Sequence, residues 1–156
     1  MFKKILVCLD GSSLAEQIVP YAEAQARHFR SKITLFQVIT VPSSLYGVSV
    51  AGVPAQTGEI LEEVIKEEYS KAKAYLERLA QPLRDKGLDV ECVALQGSPI
   101  GETIVSYAEK EKVELIALAT HGHSGLGRIV FGSVADFVLK KSGLPILVIK
   151  PKEVSS

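Results

Sequence analysis

Cysteine is scarce in this sequence, which limits the covalent and metal chemistry open to it. Only two cysteines occur among 156 residues. Cys8 and Cys92 lie in separate apolar stretches, with no CxxC spacing and no other Cys or His nearby in sequence. We therefore expect two buried, free thiols rather than a disulfide or a metal site.

The sequence also lacks an excess of either charge sign and any long apolar run. Lys plus Arg and Asp plus Glu each count 18, so no overall charge attracts the chain to nucleic acid or to an anionic membrane. This balance favours a small, local ligand. The first apolar run begins at Ile5 and ends before Asp10, far short of the roughly 20 residues of a membrane span. We expect a cytoplasmic protein without a membrane or nucleic-acid partner.

The chain does contain a regular alternation of strand-like and helix-like segments over residues 1–156, a length typical of one domain. Runs rich in Val, Ile and Leu predict β-strands at residues 5–9, 33–39, 90–95, 115–119 and 145–149. The first, fourth and fifth runs are nearly continuous in apolar residues, as in parallel sheets covered on both faces. The sequence predicts an α/β fold, a doubly wound, open, mostly parallel sheet with helices on both faces.

Apolar steps of three and four residues predict the first two helices. One runs over residues 12–29 with a kink at Pro20, and a longer one runs over 59–86 and stops at Gly87. Between the second strand and the long helix, residues 41–58 carry no charge and several Gly, Pro and Ser. This segment is expected to be a mobile connector, or else a lid or partner-contact loop.

Two further helices are expected to begin at polar caps. Ser98 is the predicted cap of the third helix, with Pro99 as its first residue. Ser133 is the predicted cap of the fourth, in a capping box with Asp136. After the last strand, residues 151–156 are expected to form a tail.

A glycine-rich loop joins the fourth strand to the fourth helix, at residues 119–133. Ligands of doubly wound sheets bind at the carboxyl ends of strands, so this loop is the best candidate site. Its glycines expose backbone N–H groups, and the following helix N-terminus favours an anion such as phosphate. Such glycines also serve merely to turn a chain. The spacing fits neither the Walker A loop nor the dinucleotide fingerprint.

The loop nevertheless resembles a known signature. Ala119-Thr-His-Gly122, nine residues and then Gly132-Ser133 are similar to the nucleotide-binding pattern of universal stress proteins, with Ala119 replacing the first glycine of that pattern. The resemblance extends to ILVCLDGS at residues 5–12, to GSP at 97–99 and to GSVADFVLKKSGLPILVIK at 132–150.

This resemblance implies a sheet in the order 3-2-1-4-5 and a site for ATP, AMP or another adenine nucleotide, with Mg²⁺ or Mn²⁺ on the phosphates. Asp10 would meet ribose or adenine, and Val38 would meet adenine through its backbone. The full set of implied binding residues is Leu9, Asp10, Val38, Ala119, Gly122, His123, Gly132, Ser133 and Val134. Asp10 has a second interpretation as the cap of the helix that follows it.

The last strand also acquires an implied role. The resemblance implies a homodimer in which strand 145–149 pairs with the same strand of a second copy. The alternative is an edge shielded by residues 150–156 and flanked by Pro145 and Pro151.

No catalytic constellation is evident. His121 and His123 lie two residues apart with no adjoining carboxylate, and no Gly-x-Ser-x-Gly elbow occurs. The His-x-Gly-His type motif of adenylyl transferases, which follows strand one, is also missing. The sequence thus favours a nucleotide-binding regulatory or stress-response protein that acts as a dimer. A weak ATPase or phosphotransferase, and a nucleotide-free dimeric interaction module, remain as alternatives.

Overall fold

Five strands make up one parallel sheet in the computed structural model, which describes residues 1–42, 45, 56–120 and 132–153. The strands are β1 (Lys4–Leu9), β2 (Lys32–Ile39), β3 (Val90–Gln96), β4 (Leu115–Ala119) and β5 (Ile146–Ile149). They lie in the order β3-β2-β1-β4-β5, and each neighbouring pair is parallel. The doubly wound fold and the strand order predicted from the sequence are confirmed.

Helices cover both faces of this sheet. They are α1 (Ser13–Glu16), α2 (Val19–Phe29), α3 (Gln56–Asp85), α4 (Ile100–Lys110) and α5 (Ser133–Lys141). Because successive strand residues point to opposite faces, β1 divides its side chains between two cores. Ile5 and Val7 pack with α2 and α3, whereas Leu6 packs with α4 and α5. The face on which a residue lies therefore decides which helices it meets.

The segment 12–29 forms two helices, so the prediction of one kinked helix was wrong. Helix α1 ends at Glu16, and Pro20 stands in the first turn of α2. Proline cannot donate a backbone hydrogen bond and clashes with the preceding turn, but it is tolerated where a helix begins. The apolar spacing continues across the break and therefore did not show it.

The predicted cap of the third helix was also wrong. Pro99, not Ser98, holds the N-cap position of α4, and no side chain caps that helix. The long helix begins at Gln56, three residues before the expected start, and ends at Asp85. Gly87 lies just beyond it with φ +86°, the left-handed conformation of a helix stop. Most of the segment 41–58 lies outside the described residues.

Helices α4 and α5 approach each other closely at Gly101. A Cβ atom built on Gly101 would lie 2.8 Å from Cδ1 of Phe137, inside the normal contact distance. Glycine thus lets α4 pack directly against the aromatic ring on α5. This contact keeps α4 and α5 close together at that point.

The chain after β5 is attached to α1 by a side-chain amide. Gln17 donates from Nε2 to the carbonyl of Lys152 at 2.7 Å, and its Oε1 accepts from the Lys152 N–H at 2.8 Å. The intervening Pro151 is buried. Both backbone groups of Lys152 are therefore engaged by one residue.

Two expectations about composition can be compared with this fold. Cys8 and Cys92 are free thiols as expected, although both are half-buried rather than fully buried. Within the described ranges, no helix has the combination of length and hydrophobicity needed to cross a membrane.

Candidate nucleotide site

The carboxyl ends of β1 and β4 lie side by side at the centre of the sheet. Ile5 pairs with Leu115, and Val7 pairs with Ala117, so the same register brings Leu9 next to Ala119. The chain leaves β1 toward β2 on one side and β4 toward β5 on the other. This reversal of strand order is the place where doubly wound proteins form a ligand crevice.

A cavity of about 130 Å³ opens at this point. Its wall combines the ends of the two strands with α1, α4 and α5. The lining residues are Cys8, Leu9, Asp10, Ala15, Ile100, Ile104, Leu118, Ala119, Gly132, Val134 and Ala135. Pockets for whole small-molecule ligands are commonly about 300–1,000 Å³ in volume, so this cavity suits one part of a larger ligand.

The floor of the cavity is apolar. Leu118 on β4 and Ile104 on α4 are almost fully buried, and Ile100 closes the same side. Burial raises the pKa of the Cys8 thiol to about 12, because a thiolate would lose its hydration there. Cys8 is therefore neutral near pH 7 and contributes an apolar surface. Such a floor suits a flat, uncharged ring or the carbon face of a sugar.

The N-terminus of α5 gives the cavity a polar, electropositive side that contrasts with its apolar floor. Gly132, with φ −60° and ψ 160°, is the N-cap and provides no side-chain hydrogen bond to the helix. Its carbonyl accepts from the Asp136 N–H at 3.0 Å, whereas the N–H groups of residues 133–135 find no acceptor in the described part of the chain. Unpaired N–H groups and the positive end of the helix dipole favour an anionic group.

The predicted capping box at the start of α5 was wrong. Ser133 is the first residue of the helix instead of its cap, and it is exposed. Asp136 accepts a hydrogen bond from Lys140 at 2.9 Å rather than closing the box. The Ser133 hydroxyl is therefore not used to cap the helix, and it lies beside the free N–H groups.

The turn after β1 positions Asp10, the acidic residue of the cavity. Oδ1 of Asp10 accepts from the Ser12 N–H at 2.9 Å, and the Ser12 hydroxyl accepts from the Ala15 N–H at 3.1 Å. Ser12 is thus the cap of α1, and the interpretation of Asp10 as that cap was wrong. Asp10 instead shapes the turn with one oxygen and leaves the exposed carboxylate at the cavity rim.

The cavity collects five of the nine residues predicted to bind nucleotide. Leu9, Asp10, Ala119, Gly132 and Val134 all line it. Two others do not line it. Val38 is half-buried on β2 in the core beneath α4 and α5, and Ser133 is adjacent to the cavity at the helix start. Gly122 and His123, together with His121, lie outside the described residues.

Sequence reasoning missed the cavity floor. Strand alternation could have identified Cys8 and Leu118, because both have the parity of the side chains that face α4 and α5. Ile100 and Ile104 give no such signal, since only the packing of α4 brings them to the cavity. Within the described residues, no group of three His, Cys, Asp or Glu side chains could hold a metal ion.

The comparisons with known proteins identify a family and agree with the fold. A model described as the universal stress protein family matches residues 1–150. Universal stress protein MJ0531 of Methanocaldococcus jannaschii is 34% identical over 155 residues, which cover 98% of this chain and 85% of the relative. Universal stress protein MJ0577 of the same organism is 34% identical over 160 residues, covering 97% of each chain.

Solved structures show the same likeness. The structure of MJ0577 has a TM-score of 0.79 at 32% identity and covers 99% of both chains. A universal stress protein from Archaeoglobus fulgidus, solved in complex with dAMP, shares the fold with a TM-score of 0.62 at 21% identity. That alignment covers 96% of this chain and 98% of the Archaeoglobus chain.

Proposed function

This chain belongs to the universal stress protein family, and from that premise we propose that it is a regulatory protein of the stress response that binds an adenine nucleotide, preferably ATP. The observation that carries the proposal is the N-terminus of α5, where the N–H groups of residues 133–135 have no acceptor among the described residues and adjoin an apolar cavity with Asp10 at its rim. The dAMP complex of the Archaeoglobus relative supports an adenine nucleotide as the ligand class.

Different parts of the site bind chemically different parts of the nucleotide. The apolar floor receives the uncharged part, and Asp10 is placed to accept hydrogen bonds from ribose hydroxyls or from the adenine amino group. The N–H groups of residues 133–135 and the Ser133 hydroxyl meet the phosphates. A bound Mg²⁺ or Mn²⁺ would neutralise phosphate charge. Asp10 is the only carboxylate among the described cavity-lining residues, so the arrangement favours binding over turnover.

Denaturing the purified protein and identifying the released small molecules by mass spectrometry tests this proposal directly. We expect an adenine nucleotide in the released fraction, or a thermal shift when ATP and Mg²⁺ are added to nucleotide-free protein. At a hundredfold excess over Kd, binding adds about 2.7 kcal/mol to the free energy of unfolding, a shift of several degrees in Tm. The absence of both a released nucleotide and a thermal shift would contradict the proposal.

We further propose that the cytoplasmic form is a homodimer joined through β5. Ile116 and Thr120 donate to the carbonyls of Pro145 and Ile149, so alternate residues of β5 face β4. The backbone groups of Ile146 and Val148 consequently face outward along an edge that is apolar and only half-buried. A second copy of the same strand satisfies these groups.

Val148→Pro should convert the dimer to a monomer. Proline removes an outward N–H that no described residue uses, while the strand conformation itself is compatible with proline at a sheet edge. Light scattering coupled to size-exclusion chromatography measures the mass, with Val148→Ala as the control that keeps the N–H. A monomeric wild-type protein, or a proline variant that stays dimeric, would reject pairing through β5.

A further inference from the structure

A second cavity, which we call the Gln37 pocket, flanks the same turn from the opposite face of the sheet. It has a volume of about 220 Å³ and is lined by Gly11, Gln37, Glu68, Lys71, Ala72 and Tyr75. Asp10, which precedes Gly11 in the sequence, lines the nucleotide cavity. One turn of chain therefore separates the two cavities.

Two buried polar atoms in this pocket have no hydrogen-bond partner among the described residues. They are Oε1 of Gln37 and the phenol oxygen of Tyr75. Buried polar groups in folded proteins are nearly always paired, because leaving one unpaired costs stability. Two such atoms in one pocket leave hydrogen-bonding capacity that a rearrangement of the pocket would use.

Gly11 is placed to complete that arrangement. Its N–H is the backbone donor that approaches the Tyr75 phenol. A Cβ atom built on Gly11 would lie 3.7 Å from Nε2 of Gln37, so this turn also sits against the glutamine amide. Gly11 has φ +87°, a left-handed conformation that glycine adopts without the steric cost of a Cβ atom.

The Tyr75 ring is held in place from the other side. The guanidinium of Arg78 lies 5.5 Å from the ring centroid and bonds to Glu16 of α1 at 2.8 Å. Burial, with the nearby carboxylates of Glu16 and Asp10, raises the pKa of Tyr75, so its hydroxyl keeps its proton. A protonated phenol accepts one hydrogen bond and donates another. It can therefore link a donor on Gly11 to an acceptor on Gln37.

We propose that Tyr75 and Gln37 are positioning residues for Asp10, through a hydrogen-bond chain that closes when nucleotide binds. In the closed chain the Gly11 N–H donates to the Tyr75 phenol oxygen, and the Tyr75 O–H donates to Oε1 of Gln37. Both unpaired atoms are then satisfied, and the turn that carries Asp10 is fixed. The inference rests on the proposed nucleotide site.

This arrangement gives the hydroxyl of Tyr75 an unusual signature. Among the described residues the hydroxyl has no hydrogen-bond acceptor, whereas in the closed chain it donates to Gln37 and so favours the bound state. Tyr75→Phe should therefore leave Tm unchanged or raise it, yet weaken ATP binding roughly three- to tenfold. Gln37→Met, of similar size and without the acceptor, should weaken binding to a similar extent.

Calorimetric titration of ATP and Mg²⁺ into wild type, both variants and the double variant tests the chain, with thermal unfolding of each protein alongside. Because either substitution breaks the same chain, the double variant should bind no more weakly than the weaker single variant. Tyr107→Phe is the matched control: its ring stacks on Phe36 beneath the other face of the sheet, and its affinity should equal that of wild type. Amide exchange at Gly11 should slow on adding ATP in wild type and remain fast in Tyr75→Phe.

The outcomes separate this inference from the function on which it rests. Wild-type binding that persists unchanged in both variants overturns the hydrogen-bond chain and leaves the nucleotide site intact. A loss of affinity accompanied by a matching loss of Tm also overturns it, since that pattern belongs to ordinary packing. A wild-type protein that binds no adenine nucleotide overturns both.

Discussion

Gly132→Val should weaken ATP binding roughly a hundredfold, the equivalent of about 2.7 kcal/mol, or the loss of one charge-assisted hydrogen bond. Gly132 lines the cavity and caps α5, so an isopropyl group there stands between the phosphates and the free N–H groups. Its φ of −60° and ψ of 160° suit any residue, so valine introduces no backbone strain. Calorimetric titration with ATP measures the loss.

Gly132→Ala separates the steric effect from the loss of the cap. Alanine and valine are both poor N-caps, so the two variants should lose a similar free energy of unfolding, about 1 kcal/mol. They differ in bulk, and the affinity for ATP should fall in the order Gly, Ala, Val. Equal affinity in all three proteins would place the phosphates elsewhere.

Gly101→Ala should lower the free energy of unfolding by about 1–2 kcal/mol, although alanine ordinarily stabilises a helix relative to glycine. The reason is the 2.8 Å approach of the new Cβ to Phe137, which forces α5 away from α4. Because α5 carries the proposed phosphate end of the site, the affinity for ATP should fall as well. Urea unfolding followed by circular dichroism measures the stability.

Gly58 offers a matched control in another helix. It lies in the first turns of α3, and a Cβ atom there would meet no described residue within 4 Å. Gly58→Ala should therefore stabilise the protein by about 0.5–1 kcal/mol. In a Phe137→Ala background, Gly101→Ala should lose its penalty, because the colliding ring is gone. A penalty that survives in that background would rule out the contact as its cause.

The strands were predictable because their signal is both local and strong. Each is a short run of Val, Ile and Leu bounded by polar residues, and the observed ends lie within one residue of the predicted ones. The first residues of the helices were harder to predict. Ser133 and Asp136 fit a capping box by sequence, yet the helix begins one residue earlier, at a register that the motif cannot distinguish. The break before Pro20 was hidden because apolar steps continue through it.

The site was predictable where it follows the strand ends and unpredictable where it depends on packing. Asp10, Ala119 and Gly132 could be named from the resemblance and the strand order, and they share one cavity. Ile100 reaches the same cavity only through the tertiary packing of α4. The unpaired atoms of Tyr75 and Gln37 carry no sequence signal at all, since they become visible only when the partners of every buried polar group are known.

The two hydrogen bonds between Gln17 and Lys152 affect how copies of the chain could pair through β5. The Pro145 carbonyl accepts from Ile116 and so faces β4, which leaves Ile146 and Val148 as the residues of β5 whose backbone groups face outward. Beyond the strand, both backbone groups of Lys152 are engaged by Gln17. Within β5 the outward-facing row therefore consists of Ile146 and Val148, and Gln17 keeps Lys152 from extending it. A row this short has no alternative alignment to slip into, whereas long, uniform edges permit several registers and open-ended growth. The glutamine side chain thus limits edge pairing to one register and opposes polymerisation.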